Sequence, residues 1–530
     1  MRRARLALAA LALGTACAGD PTAPDAPTPT PTPVTPPPPP SDTAPTPRRE
    51  FRGAWVATVS NVDWPSRAGL PAAQQQTELR NIVRNYVQTN LNAMILQVRP
   101  AADALYASPY EPWSRYLTGT QGVDPGYDPL AFAVKEAHAA GLELHAWFNP
   151  FRAGLAADTA RFAATHVWRA RRDLARVYGT QLWMDPGDPE VVERTVQVIL
   201  DVVRRYDVDA VHIDDYFYPY QERDPKTNAI LDFPDSATYA RFNPRNLARA
   251  DWRRDNINRF VERLYRQVHA VKPWVRVGIS PFGIWRPGNP PGITGLDAYA
   301  DIYADSRLWL TSGWADYLAP QLYWAIGAPQ QSYTALNTWW ALQNVVHMHL
   351  WPGVASYRVR DGTTSAFLPN EISDQVAVTR TIPGAPGNIF YNTTSLFSSV
   401  TGVARQLVST VYQVPTLPPA TPWLDPTPPG APTVTATEGT PTAAGRVWTV
   451  HITPPAGEAV RWWVIQPRVA GQWTGPVVAF GDQLAVDLTL PSSTGGGRLE
   501  MVGVSGADAV WNVGLTAYWR PPAVAILHPR

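Results

Sequence analysis

The sequence predicts an α/β protein built on a (β/α)8 TIM barrel and followed by a small all-β unit. Two observations carry the barrel. Between Arg49 and Gln413 eight short apolar runs alternate with amphipathic segments, and polar and aromatic residues gather just after each run. A third observation carries the all-β unit: beyond Pro432 the texture changes to short alternating runs separated by Gly, Pro and Ser.

In chain order, Arg2, Arg3 and Arg5 precede an apolar run at 6–13, and Gly14-Thr15-Ala16-Cys17 follows. A charged start, a short apolar stretch and a small-residue cleavage zone make residues 1–17 a signal peptide, too short to span a bilayer. Cys17 is the sole cysteine, so no intrachain disulfide or cysteine metal site is possible. It stands where a lipoprotein signal carries the residue to be lipidated. Gly14 departs from the leucine usual three positions earlier, and the alternative is a plain site at Ala16-Cys17-Ala18 with free release. Residues 18–48 are rich in Pro, Thr, Ala and Asp, with a proline run at 36–40. Such a stretch cannot bury enough apolar surface to fold and reads as an extended tether.

The barrel spans 49–413. Its strands are expected at 52–60, 93–98, 143–148, 210–214, 275–280, 317–323, 349–355 and 388–391. Amphipathic helices are expected among them at 74–86, 129–140, 189–206 and 255–271. A doubly wound open sheet is the other arrangement of such a pattern. It would show a glycine-rich phosphate turn after its first strand, and Ser60-Asn61-Val62-Asp63-Trp64 is not one. A proline-rich linker is expected at 414–431. A β-sandwich of immunoglobulin or fibronectin kind follows at 432–522, with strands at 446–452, 460–467, 484–490 and 499–504. Trp462, Trp463 and Trp473 there fit core packing better than a sugar-stacking patch. If this unit is a spacer or wall-affinity module, a barrel ending near Gln413 should fold and work without it.

Composition narrows function. A net charge of +1 with 17% charged residues gives no field for nucleic acid or anionic lipid. The 22 Trp and 21 Tyr suit sugar rings as well as cores. Function in a barrel collects at the C-terminal strand ends. Those ends hold Asn61, Asp63 and Trp64; Gln97, Arg99 and Asp103; His145, Trp147, Asn149 and Arg152; Asp214, Asp215, Tyr216 and Tyr218; Ser280, Phe282 and Trp285; Gln321, Tyr323 and Trp324; Tyr357 and Arg358; and Tyr391 and Asn392. Planar faces for pyranose rings, with amides and carboxylates for hydroxyls, are what a glycan cleft needs. His347 and His349 share a strand face but lack a third ligand nearby, so neither a metal nor a cofactor is expected. No G-x-S-x-G serine elbow occurs.

The sharpest spot is Val211-His212-Ile213-Asp214-Asp215. Strand alternation puts Val211 and Ile213 toward the helices and His212 and Asp214 into the barrel, with Asp215 at the exit. Adjacent carboxylates repel, so one can stay protonated near neutral pH. Glycoside hydrolysis requires such an acid for the leaving oxygen. The structural alternative is that one Asp caps a loop and the other pairs with an arginine.

The segments Phe51-Arg52-Gly53-Ala54-Trp55-Val56-Ala57-Thr58-Val59, Asp63-Trp64-Pro65, His145-Ala146-Trp147-Phe148-Asn149-Pro150, Asp214-Asp215-Tyr216-Phe217-Tyr218-Pro219 and Ala319-Pro320-Gln321-Leu322-Tyr323-Trp324 resemble the family-10-like bacterial glycosidases. Asp251-Trp252-Arg253-Arg254 and Tyr303-Ala304-Asp305 also match. The resemblance covers residues 51–405. It implies a TIM barrel and hydrolysis of β-linked glycans, in at least one branch peptidoglycan stripped of its stem peptides. Several members are envelope lipoproteins.

A second carboxylate is expected across the cleft, with Asp103, Asp305 and Asp63 the candidates in that order. A separation near 5 Å would mean retention, and about 6.5–9.5 Å inversion. A substrate-assisted route would need one acid and an N-acetyl group on the sugar. The remaining expectations are an exported monomer, lipid-anchored in the cell envelope or secreted, that meets polysaccharide, touches membrane only through its anchor and binds no nucleic acid. The alternative function is a glycan-binding envelope lipoprotein that has lost its chemistry.

Overall fold

Eight parallel strand positions form a TIM-barrel-like sheet in the computed structural model, which describes residues 42–384, 386–490 and 498–522. They are β1 (Phe51–Val56), β2 (Ala93–Arg99), β3 (Glu143–Phe148), β4 (Ala210–Ile213), β5 (Arg276–Ile279), β6 (Tyr317–Leu318), β7 (His349–Leu350 and Gly353–Ala355) and β8 (Gly387–Tyr391). Each pairs with the next, and β8 pairs with β1, so the pairing returns to its start. The signal segment, Cys17 and the tether as far as residue 41 lie outside the described residues.

Several strands are shorter than the apolar pattern suggests, and in two the cause is a proline. β6 stops at Leu318 and β7 is broken at Trp351-Pro352. Pro320 and Pro352 have no N–H to give a ladder, so pairing lapses there and resumes as single bridges from Gln321 to Phe282 and Gly353. The alternation expected of β4 holds. Val211 and Ile213 join the outer core under the helices, while His212 is buried inside the barrel.

Two of the helices that brace this sheet start on aspartate caps. Asp128 accepts from Ala131 N at 2.9 Å ahead of Pro129–Ala139, and Asp188 accepts from Glu190 N at 2.9 Å ahead of Pro189–Arg205. Each has proline at its first position, where the missing N–H costs nothing. After β3 the chain inserts a small antiparallel sheet of Arg152–Leu155, Ala175–Tyr178 and Gln181–Met184. It carries Arg152 to the mouth of the barrel.

Beyond Thr433 the strands are antiparallel. Thr433–Glu438, Arg446–Thr453 and Ala485–Leu490 make one sheet, and a second is built on Trp462–Val469 and Leu499–Ala507. Their apolar faces share a core that includes Trp448, Val450, Ile465 and Val504. Trp462 and Trp463 are fully buried and form no sugar-stacking surface.

The stretch expected to be a linker is packed instead. Leu417 N donates to Arg48 O at 3.0 Å and Leu417 O accepts from Glu50 N at 2.9 Å, so Leu417 docks beside β1. Thr416, Leu417 and Thr421 are buried. Everything from Thr43 onward clusters as one compact unit. Within it the C-terminal sheets cover the N-terminal ends of the barrel strands. Arg461 pairs with Asp207 at 2.6 Å and Asp209 at 2.7 Å, His138 stacks on Phe480 at 4.4 Å, and Trp511 Nε1 donates to Glu143 at 2.5 Å. Gly141 has φ +72°, and a Cβ there would stand 2.5 Å from Val478 O. Only glycine lets the two backbones meet so closely.

Candidate active site

At the C-terminal strand ends a cavity of about 250 Å³ is lined by Trp55, Gln97, Trp147, Asn149, Asp214, Asp215, Tyr216, Gln321 and Tyr323, among others. β4 ends at Ile213, and the next two residues are the two carboxylates. Asp214 continues the inward face of the strand. Asp215 reaches the same cavity because the backbone leaves strand geometry there.

Asp214 sits in a cage of donors. Its Oδ2 accepts from Trp147 Nε1 at 2.9 Å and from Asn149 Nδ2. Asn149 is held in turn, because its Oδ1 accepts from Gln97 Nε2 at 2.7 Å and Arg152 Nη2 at 2.6 Å. Gln97 is fixed by donors on its other end, Thr58 N and Val59 N, each at 2.9 Å. The amide of Asn149 is thereby forced to present N–H to Asp214. Asp215 accepts from the Tyr220 hydroxyl.

Burial pushes the Asp214 carboxyl well above the ordinary range, and the neighbouring charge of Asp215 adds to it, against Arg152. Burial raises Asp215 as well, against its hydrogen bonds from Tyr220 and Gln321. Desolvation therefore outweighs the mutual repulsion that the sequence suggested as the cause. The pair holds a proton near neutral pH. Its sign is definite: the protonated form is full at low pH and lost as pH rises through the raised value. We predict that kcat/KM falls on the alkaline side, with a midpoint well above that of a free aspartate, measured as a pH–rate profile on one cleavable glycan.

Aromatic faces complete the walls. Tyr323 and Tyr391 stack at 5.9 Å, Tyr357 stands edge-on to both at 6.2 and 6.1 Å, and Arg152 lies 4.8 Å over Tyr216.

The structure corrects several expected site residues. Asp103 is buried away from the cavity, where it accepts from Ala101 N at 3.1 Å and Gln121 Nε2 at 3.3 Å. Burial raises its carboxyl to about 6, but it shapes the loop after β2. Asp305 caps the helix Ser306–Thr311 and accepts from Trp285 Nε1 at 3.0 Å, which removes Trp285 from the cleft with it. Asp63 ties two loops, accepting from Ala57 N at 2.7 Å and Thr394 N at 2.8 Å, and burial raises it to about 6.

Trp64 is fully buried and donates to Gln75 O at 2.9 Å. Arg99 is spent on Glu111 at 2.6 Å and on the Pro150 carbonyl at 3.0 Å. His145 lies deeper in the barrel, bound to Tyr317. Tyr218 is buried behind the cavity and faces a separate pocket with Arg253 and Tyr303. Trp324 packs edge-on to Phe282 at 5.7 Å, outside the cavity lining. Arg99 and His145 lie within β2 and β3 and the others beyond strand ends, and all turn away from the cavity, which residue counting cannot see. Among the described residues, the carboxylates that line the cavity are Asp214 and Asp215.

Arg152, Ser280 and Tyr391, which the strand-end reading includes, also line the cavity, and so do Trp55 and Tyr220, which it does not. Both had a signal: Trp55 lies within a motif segment, and Tyr220 directly follows the one that begins at Asp214.

A TIM-barrel-like fold with a buried acid pair in an aromatic cavity at its C-terminal mouth defines the class of barrel glycoside hydrolases. Comparison gives the family: residues 50–366 match the one described as Glycosyl hydrolase-like 10, and the chain belongs to it. The chain is 40% identical over 398 residues to glycosyl hydrolase YngK of Bacillus subtilis (strain 168), covering 73% of this chain and 76% of that one. It is 34% identical over 370 residues to glycosyl hydrolase DigH of Escherichia coli (strain K12), covering 64% and 82%. Among solved structures, the glycoside hydrolase domain of PgaB (BpsB) from Bordetella bronchiseptica aligns with a TM-score of 0.45 at 14% identity, covering 68% of this chain and 99% of that one. The protein is an enzyme, a glycosyl hydrolase.

Proposed function

We propose that this enzyme cleaves β-linked glycan strands carrying N-acetyl groups, peptide-free peptidoglycan among them, with the Asp214–Asp215 pair as its acid–base machinery. The observation that carries this reading is that both cavity carboxylates leave the same strand end, side by side. Two-carboxylate mechanisms place their groups on opposite sides of the scissile bond. An adjacent pair suits the substrate-assisted route instead. One aspartic acid protonates the leaving oxygen as the glycosidic bond breaks, and the other orients the acetamido group whose carbonyl oxygen attacks the sugar carbon; water then opens the ring so formed and returns a proton to the first carboxylate. The stacked tyrosines and Trp55 supply flat apolar faces for the ring, and Gln321 and Arg152 supply donors for its hydroxyls.

The test incubates the full chain with peptide-free peptidoglycan strands, chitin oligosaccharides and a β-glucan lacking N-acetyl groups, with products read by mass spectrometry. Cleavage confined to the N-acetylated chains is the expected result. Equal cleavage of the β-glucan overturns the substrate-assisted route.

The location follows from the leader. We read the protein as an exported monomer, lipid-anchored through Cys17, with an immunoglobulin-like sandwich at its C-terminus. Cys17→Ser is expected to move it from the membrane fraction to the soluble one with activity kept. A variant that stays in the membrane fraction sinks the anchor.

A further inference from the structure

A hydrogen-bonded column runs through the barrel from the cavity floor to the C-terminal sheets. Trp55 Nε1 donates to His212 Nε2 at 3.1 Å, and His212 Nδ1 meets the Tyr317 hydroxyl at 2.9 Å. The same hydroxyl meets His145 Nδ1 at 2.9 Å, and His145 Nε2 meets Glu143 Oε2 at 3.2 Å. At the foot, Glu143 Oε1 accepts from Arg276 and from Trp511. Every member is buried.

The two ends fix the direction of every bond between them. An indole N–H only donates, and a carboxylate only accepts. Trp55 therefore requires a bare Nε2 on His212. The neutral ring carries its proton on Nδ1 and donates it to the Tyr317 oxygen. That hydroxyl turns its own hydrogen to His145 Nδ1, which leaves the His145 proton on Nε2, aimed at Glu143. Burial holds both imidazoles neutral. Ser280 Oγ lies 3.1 Å from the same bare Nε2, which has no hydrogen to give, so the bond between them runs from the Ser280 hydroxyl and shares the nitrogen's one lone pair with the Trp55 N–H. Its lone pairs are what it offers the cavity it lines.

We propose that this column makes Ser280 an acceptor-only contact for the bound sugar, with His212, held in its tautomer by Trp55, as the positioning residue that imposes it. Ser280 then takes a hydrogen bond from a substrate hydroxyl or amide N–H, and disfavours a sugar that presents only an acceptor there. This role rests on the glycan reading of the cavity, whereas the proton positions do not.

The test starts with 15N-histidine spectra of the full chain. His212 is expected as the Nδ1–H tautomer and His145 as the Nε2–H tautomer, both unchanged from pH 5 to 9. An Nε2–H His212 overturns the proposal whether or not any glycan is cleaved, so its failure is distinct from failure of the function. On peptide-free glycan strands, Ser280→Ala is expected to raise KM about tenfold, as loss of one substrate hydrogen bond does, with kcat little changed. Ser280→Thr, which keeps the hydroxyl, should recover most of that. Tyr317→Phe leaves the Trp55 donor in place, so His212 is expected to keep the Nδ1–H tautomer. An unchanged KM in Ser280→Ala, or an Nε2–H His212 in Tyr317→Phe, overturns the proposal. If Tyr317→Phe does not fold, the wild-type spectrum and the Ser280 variants decide.

Discussion

Asp214→Asn is expected to lower kcat by about 10²- to 10⁴-fold, the usual cost of removing a general acid–base group. The asparagine keeps the size of the side chain and an oxygen for Trp147 and Asn149, but it has no carboxylic proton to give. Asp215→Asn is expected to fall as far, because the two groups share one titration. The variants differ in shape of profile: the one that removes the proton donor also abolishes the alkaline fall in rate.

Stability moves the other way. Asp214 has a folded-state pKa above its unfolded value, so the folded state holds the proton more tightly. That contribution is complete below about pH 4, the unfolded value, and is lost as pH rises through the folded one. Wild type thus buries a costly charge at pH 8, and the asparagine variant does not. Asp214→Asn should melt higher than wild type at pH 8 and no higher at pH 4. Both variants retaining near-normal kcat with normal melting would make the pair structural and send the search for the acid elsewhere in the cleft.

What could be read in the sequence divides along a physical line. Strand order and the inward face of His212 and Asp214 follow from local periodicity, and the structure has them. The acid pair was visible because alternation along four residues of β4 settles its direction. Asp103 and Asp305 lie off the cavity because a side chain beyond a strand end answers to loop geometry, and Arg99, the last residue of β2, turns to a loop carboxylate. Their partners, Gln121, Trp285 and Glu111, lie 12 to 20 residues away in sequence. Proline-rich composition misled at 414–431 for a related reason. A segment without regular structure can still be bound, here through the N–H and C=O of Leu417 and the buried side chains beside it.

Removing everything after Gln413 is expected to cost the barrel most of its stability, contrary to the picture of a detachable module. The cut takes Leu417 from the edge of β1, Trp423 from Asp316 at 2.9 Å, Arg461 from Asp207 and Asp209, and Trp511 from Glu143. The Asp209 carboxyl, which burial alone would raise, is held far below its ordinary range by Arg461 and His138. Without Arg461 that charge keeps its burial and loses its main partner. Arg276 already has two guanidinium nitrogens without a partner, and its Glu143 would lose the indole that covers it.

Breaking one buried pair costs about 3–5 kcal/mol, against a total stability of about 5–15 kcal/mol for a typical domain. The truncated chain should therefore be insoluble, or melt about 10 °C or more below the full chain. Two point variants isolate the contact. Arg461→Ala should lower the melting temperature by several degrees and lose more as pH rises above 4, since the stabilisation from Asp209 is present above its unfolded pKa and disappears in acid. Gly141→Ala should do so at all pH values, because its clash with Val478 is steric. A truncated barrel that melts like the full chain and cleaves short glycans at the full rate would show that the C-terminal sheets merely rest on a foot the barrel holds by itself.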